Sequence, residues 1–353
     1  MKCCISHNTA IHWLTSNANQ RLDAQRPCRV SLSGMDVPEA AQARSISDFL
    51  WLGGDEPLDV LVAPAARREV KGVRCHTCAH PLPKASFVSI PSPLPDVELF
   101  VVSPELAFVQ QAFSSDLQST VYFGMALCSE YRSDAATSSG VALRQHDDAP
   151  LTSVARLAAY LDRLEAVPGA SRAARALPFV RERSRSPKES GLAMTFGLPL
   201  RFGGFHLGEV ALNERIDIVD GKDEAGNPRV STRYPDLLIT NHDRRGKKRA
   251  VAIDYDGFSV HADPHAMARD NRRRNEIATV ERLDRHFTLT TDDVSNFRYL
   301  ESLADRVRKS LGQRKQPYLK GNPDSADNVQ RKEAVWQKQY ELWARFVSGR
   351  QEF

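Results

Sequence analysis

The apolar positions change period along the chain. In the first third they come as short runs at 28–32, 58–63, 72–75 and 97–102, rich in β-branched residues and bounded by proline or glycine, a pattern that predicts strands. Ser103-Pro104-Glu105 then supplies an N-cap, a first-turn proline and a first-turn acid. A helix therefore opens there and continues through Leu106, Val109 and Phe113, with a second following to about residue 131. The stretch from 133 to 150 is rich in Ser, Ala, Gly and Asp and reads as a linker. From 151 the period is helical again, with Val154, Leu157, Leu161 and Leu164 on one stripe and Ala173, Ala174, Leu177 and Val180 on another.

The second half begins with another cap-and-proline start, Ser186-Pro187-Lys188-Glu189, which sets Glu189 near the N-terminus of a helix reaching 198. Strands are expected at 210–219, 230–240 and 249–255. Asp263-Pro264 caps a helix over 264–282, 286–290 reads as a further strand, and Val294, Phe297, Leu300, Leu303, Val307 and Leu311 mark a helix that stops at Gly312. Beyond 317 the chain is polar until Trp336, Tyr340, Trp343 and Val347, whose spacing makes one apolar helical stripe. Packing on its own domain is the ordinary reading of such a stripe, and a dimer contact the sharper one.

At 353 residues the chain exceeds the size at which one core stops growing. The expectation is an α/β (α+β) protein: an N-terminal mixed α/β domain over 1–135, a linker over 136–150 and connecting helices over 151–185 that lead into a second domain. That domain, a helix and strand sandwich, spans 186–315, and a polar segment with a C-terminal amphipathic helix spans 316–353.

Composition narrows the class. With 41% hydrophobic and 26% charged residues, and no apolar run near the roughly 18 residues of a membrane span, a soluble protein is expected. His7, Asn8 and His12 interrupt the apolar start, so no signal peptide is read and the cytoplasm is the default location. The six cysteines are scattered, as reduced thiols are. Cys75, Cys78 and His80 have metal-knuckle spacing, but no second pair follows to complete a zinc site. Net charge is +4 and uneven, with 27 basic against 21 acidic side chains between 181 and 320.

That basic half holds the candidate chemistry. Asp236, in Tyr234-Pro235-Asp236-Leu237, and Asp254, in Ala252-Ile253-Asp254-Tyr255, lie on runs joined by a turn-rich stretch. If the runs pair as a hairpin about Arg245, Asp236 falls opposite Asp254, with Cβ atoms roughly 4.5–5.5 Å apart, where like charges repel. A hard cation, Mg²⁺ or Mn²⁺, would relieve that repulsion, bound through the two carboxylates, water and phosphate oxygens. Asp256 shares the face of Asp254 about 6.6–6.8 Å along the strand, and His261 follows the Gly257 turn. Glu189, Asp236, Asp254, Asp256 and His261 would then gather at one sheet edge. A metal-bound water, or one deprotonated by His261, could attack phosphorus there.

Each residue also has a structural reading: a strand-entrance acid, a capping histidine, and, at Glu189, an acid favoured by the helix dipole. Arg269, Arg272, Arg273 and Arg274 could be the solvated face of a helix. Helical spacing nevertheless puts Arg269 and Arg273 on one face and turns Arg273 towards the carboxylates. With Arg272 and Lys248 they are the candidate DNA contacts.

Glu189 on a helix, Pro235-Asp236 on a strand, Asp254-Tyr255-Asp256 on the next and then a helix resemble the PD-(D/E)xK restriction-endonuclease-like superfamily. More narrowly, Asp254-Tyr255-Asp256-Gly257, His261 and the run from Arg269-Asp270 to Arg273 resemble the very-short-patch-repair-like domain of many bacterial proteins. The region holding Ile5-Ser6-His7-Asn8 and Val102-Ser103-Pro104-Glu105 is similar to that preceding this domain in relatives of abortive-infection type IV antitoxins. The resemblance implies a three-layer restriction-endonuclease-like fold with Asp236 and Asp254 as metal ligands, Glu189 as an accessory ligand and His261 at proton transfer or phosphate contact. Asp256 stands where the broader superfamily carries a lysine and where the narrower family commonly has aspartate. Three functions follow as expectations: a Mg²⁺-dependent DNA endonuclease, a non-catalytic DNA-binding or antitoxin-like regulator, or a module contacting a partner protein in a defence or toxin–antitoxin system.

Overall fold

A computed structural model of the chain describes residues 1–16, 27–28, 30–52, 56–134, 136–137, 139–144, 149–222, 228–257, 283–315, 318–319, 321–322 and 324–348. The chain divides into two compact units, Met1–Val180 and Arg181–Phe353. Each combines helices with a mixed sheet, the α/β class.

The first unit is built on strands β1 (Lys2–Ile5), β2 (Pro27–Cys28), β3 (Leu58–Val62), β4 (Val73–Thr77), β5 (Phe87–Ile90) and β6 (Glu98–Val102), in the order β2-β5-β6-β1-β3-β4. Cys3, Cys4 and Ile5 and the whole of β3, Asp59 included, are buried, as strands covered on both faces are. Its helices include α1 (His7–Thr15), α2 (Ala40–Phe49), α3 (Pro104–Ser114) and α4 (Leu117–Leu127). The Ser103 hydroxyl caps α3 by accepting from the Leu106 N–H at 3.3 Å.

Two expectations for this half are corrected. The linker contains β8 (Val141–Leu143), paired antiparallel with β7 (Tyr131–Ser133). Helices α5 (Val154–Leu161) and α6 (Ala170–Ala176), read as connectors into the second domain, pack instead on α3. Their buried stripe of Leu157, Tyr160, Ala173 and Ala176 is the reason, since it must be covered by the nearest apolar face. The approach is close: a Cβ on Gly169, whose φ is +93°, would lie 2.3 Å from the Val109 carbonyl oxygen.

The second unit holds α7 (Pro187–Gly197), β9 (Glu209–Leu212), β10 (Ile216–Lys222), β11 (Pro228–Arg233), β12 (Leu237–His242), β13 (Lys248–Asp256) and β14 (Arg285–Thr290). Helices α8 (Thr291–Ser295), α9 (Phe297–Ser310) and α10 (Ala326–Phe346) follow. The sheet order is β14-β13-β12-β9, with β14 parallel to β13 and the other pairs antiparallel. The strands expected at 210–219 and 230–240 are each broken in two, and β10 and β11 form a separate two-stranded ribbon. Asn213 at φ +48° is the first break and the Pro235 segment the second. The Asn213 N–H donates to the Asp236 carbonyl at 3.1 Å, so the two kinks leave the sheet together. The helix expected over 264–282 lies outside the described residues.

Helix α9 buries Leu300, Leu303 and Val307 completely, each contributing about 1.5–3 kcal/mol relative to exposure. The apolar stripe of α10 packs within this unit: Trp343 Nε1 donates to the Val294 carbonyl at 2.8 Å. The rings of Trp336, Tyr340 and Trp343 surround Phe297 at 5.4–5.8 Å.

Candidate active site

The β12–β13 ladder pairs Leu237 with Ile253 and ends at His242 and Lys248. Continuing that register by one residue sets Asp236 opposite Asp254, which a hairpin centred on Arg245 requires. Each acid accepts from a backbone N–H of the other's segment. The Asp236 N–H donates to Asp254 Oδ1 at 3.2 Å, and the Tyr255 N–H donates to Asp236 Oδ2 at 2.6 Å. Side-chain oxygens thus continue the ladder at its open end, and the N–H dipoles offset part of the repulsion between the carboxylates.

The other oxygen of Asp254 meets a residue that no sequence motif singles out. His286 Nε2 lies 2.9 Å from Asp254 Oδ2, their side chains 6% and 13% exposed. Parallel pairing of β14 sets His286 beside Ala252, two residues before Asp254 and on the same face. Asp256 ends β13 on that face, half-buried and level with Thr290.

Glu189 is held one step away. It occupies the third position of α7, whose N-cap Ser186 accepts from the Glu189 N–H at 3.2 Å and donates to Oε1 at 3.0 Å. Oε2 accepts from the Arg185 N–H and from Asn213 Nδ2, both at 2.9 Å. Asn213 therefore links Glu189 to Asp236, with its side chain on one and its N–H on the carbonyl of the other. Its amide orientation is fixed because Nδ2 also donates to the Arg183 carbonyl. That leaves Asn213 Oδ1 buried with no donor among the described residues, a vacant acceptor that needs a proton or a cation.

Burial pushes the Glu189 carboxyl above the ordinary glutamate range, against the opposing bonds from Arg185, Asn213 and Ser186. A raised folded-state value means that the folded protein holds this proton more tightly than the unfolded chain. The resulting stability is present at low pH and lost as pH rises through the raised value. The thermal midpoint should therefore rise on acidification from neutrality towards the ordinary glutamate value more for the native protein than for Glu189→Gln. Parallel pH profiles of the two would contradict this.

Among the described residues no group of three or more His, Cys, Asp or Glu side chains could hold a metal ion. Asp236 and Asp254 are brought together and Glu189 is not added to them as a third ligand. Two carboxylates, with a vacant amide oxygen in the same network, still fit a hard cation such as Mg²⁺, which fills its octahedron with water and phosphate oxygens. His261, Arg269, Arg272 and Arg273 lie outside the described residues. Lys248 is exposed at the far end of the hairpin, six residues from Asp254 and so about 20 Å away. Arg183 and Arg185 instead lie beside Tyr234, two residues before Asp236 in the chain, each with its guanidinium 5.9 Å from the centre of the ring. Comparison with protein-family models, curated proteins and solved structures gave no match.

Proposed function

We propose that this chain is a divalent-metal-dependent phosphodiester hydrolase acting on DNA, with Asp236 and Asp254 as the metal-binding carboxylates. The observation that carries this reading is the placement of the two acids opposite each other at the open end of one hairpin, each fixed by a backbone N–H of the other's segment. A bound Mg²⁺ or Mn²⁺ would supply a Lewis acid for the phosphate oxygens and a water of lowered pKa. The chain's own residues position the two carboxylates that would hold it. His286 holds Asp254 Oδ2 and acts as a positioning residue. The Tyr255 N–H fixes Asp236. Arg183 and Arg185 set positive charge beside Tyr234-Pro235-Asp236, where substrate phosphates would arrive. The order of elements, an acid-bearing helix, an acid-bearing hairpin and a parallel strand, supports the restriction-endonuclease-like reading.

The test is incubation of the purified protein with supercoiled plasmid and Mn²⁺ beside an Asp236→Ala preparation. Nicking by the native chain alone is expected, and equal nicking by both would sink the assignment. A second reading, a non-catalytic DNA-binding regulator of the antitoxin-like kind, is favoured by one observation: the carboxylates already serve as backbone acceptors, a structural use for both. Duplex binding by the native chain with no nicking in Mg²⁺ or Mn²⁺ would select it.

A further inference from the structure

The turn of the hairpin builds a second site. Asp243 closes it: its N–H donates to the Lys247 carbonyl at 2.9 Å, and its Oδ1 accepts from the N–H groups of Arg245 and Lys247 at 2.9 and 3.0 Å. The end of α9 presses against this turn, since a Cβ on Gly312 would lie 2.8 Å from the Cβ of Asp243. Between turn and helix lies a cavity of about 760 Å³. The hairpin lines it with Arg244, Arg245 and Arg249, and the helix and its continuation with Arg306, Arg308, Lys309 and Lys315, against two acids, Asp243 and Asp305.

Those acids are engaged. Asp243 pairs with Arg249 at 3.0 Å, while Asp305 is shared between Arg308 at 3.5 Å and Lys315 at 3.3 Å. Among the described residues no carboxylate pairs with Arg244, Arg245, Arg306 or Lys309. Arg308 is the most telling: it is 5% exposed, it donates through Nη2 to the Phe205 carbonyl, and its buried Nε has no partner among the described residues. A buried cation that shares its counter-ion with a second cation is costly unless something else compensates it. The carbonyl end of α9 is worth only about half a negative charge, far short of the positive surplus in the lining, where seven basic side chains meet Asp243, Asp305 and, on Arg249, Asp284.

We propose that this cavity binds a phosphate group, either on the backbone of a DNA strand or on a free phosphate compound. Guanidinium groups from two directions match the forked recognition of phosphate oxygens, and the anion would add to the counter-charge that Arg308 shares with Lys315. The proposal does not rest on the carboxylate pair, since every residue of the cavity lining lies on the turn end of the hairpin or on α9 and its continuation.

Binding of a labelled 20-base-pair duplex and of inorganic pyrophosphate to the full chain tests it, with the double variant R245E/R306E beside Lys338→Glu, a single charge reversal on an exposed lysine of α10. The double variant should lose tenfold or more in duplex affinity, and its slope of log affinity against log salt should fall by about two, near 0.9 for each phosphate no longer neutralised. Weaker duplex binding makes the polymer backbone the source of the phosphate; weaker pyrophosphate binding alone makes it a free compound. The proposal is overturned if the native chain binds neither probe, if R245E/R306E binds both like the native chain, or if Lys338→Glu weakens binding as much.

Discussion

Under the proposed hydrolase function, Asp254→Asn is expected to leave a folded protein in which metal-dependent cleavage is reduced by roughly a hundredfold or more. The amide is nearly isosteric. Its oxygen can still accept from the Asp236 N–H, and its NH₂ can donate to His286 Nε2. The negative charge opposite Asp236 is what disappears, so Mn²⁺ affinity by calorimetry and plasmid nicking should fall together while the melting midpoint stays nearly unchanged. Asp254→Ala should behave differently, because the Asp236 N–H and the His286 ring lose their acceptor in a buried site at about 1–3 kcal/mol each. A nicking rate for Asp254→Asn within threefold of the native value would remove Asp254 from the chemistry.

Gly191→Ala should cost the fold far more than that isosteric change. Ala is the better helix former by about 1 kcal/mol, so a glycine within α7 needs another reason. A Cβ at this position would stand 2.2 Å from the Phe346 carbonyl oxygen and 3.0 Å from its carbonyl carbon. Those are backbone atoms that no rotamer change can remove, so α10 would have to shift from α7. Overpacking of this kind costs roughly 1–3 kcal/mol and occasionally more, and a melting midpoint lowered by several degrees is the expected reading. A midpoint equal to or above the native one would show that the two helices do not meet as described.

The hairpin is readable in the sequence because alternating apolar residues on both sides of Asp243-Arg244-Arg245-Gly246 leave one register that keeps Leu237, Ile239, Val251 and Ile253 inside. The breaks beside it are not. Residues 210–219 and 230–240 keep strand-like composition throughout, and propensity cannot show where a chain leaves a sheet; Asn213 in a left-handed conformation is decided by its bonds to Arg183 and Glu189. His286 reads only as the start of a strand. Its place beside Asp254 depends on the parallel pairing of β14, which follows from tertiary structure rather than local pattern. Helices α5 and α6 are legible as helices but not as partners of α3, since a stripe states that a face is buried without saying against what.

The hairpin also acts as a ruler. Five residues separate Asp254 from Arg249, which sets the paired acids about 17 Å from the basic cavity, the axial length of about five base pairs at 3.4 Å each. If both proposed sites take the same duplex, one shorter than that can engage one end of the ruler or the other but not both, so affinity should climb stepwise with oligonucleotide length rather than in proportion to it.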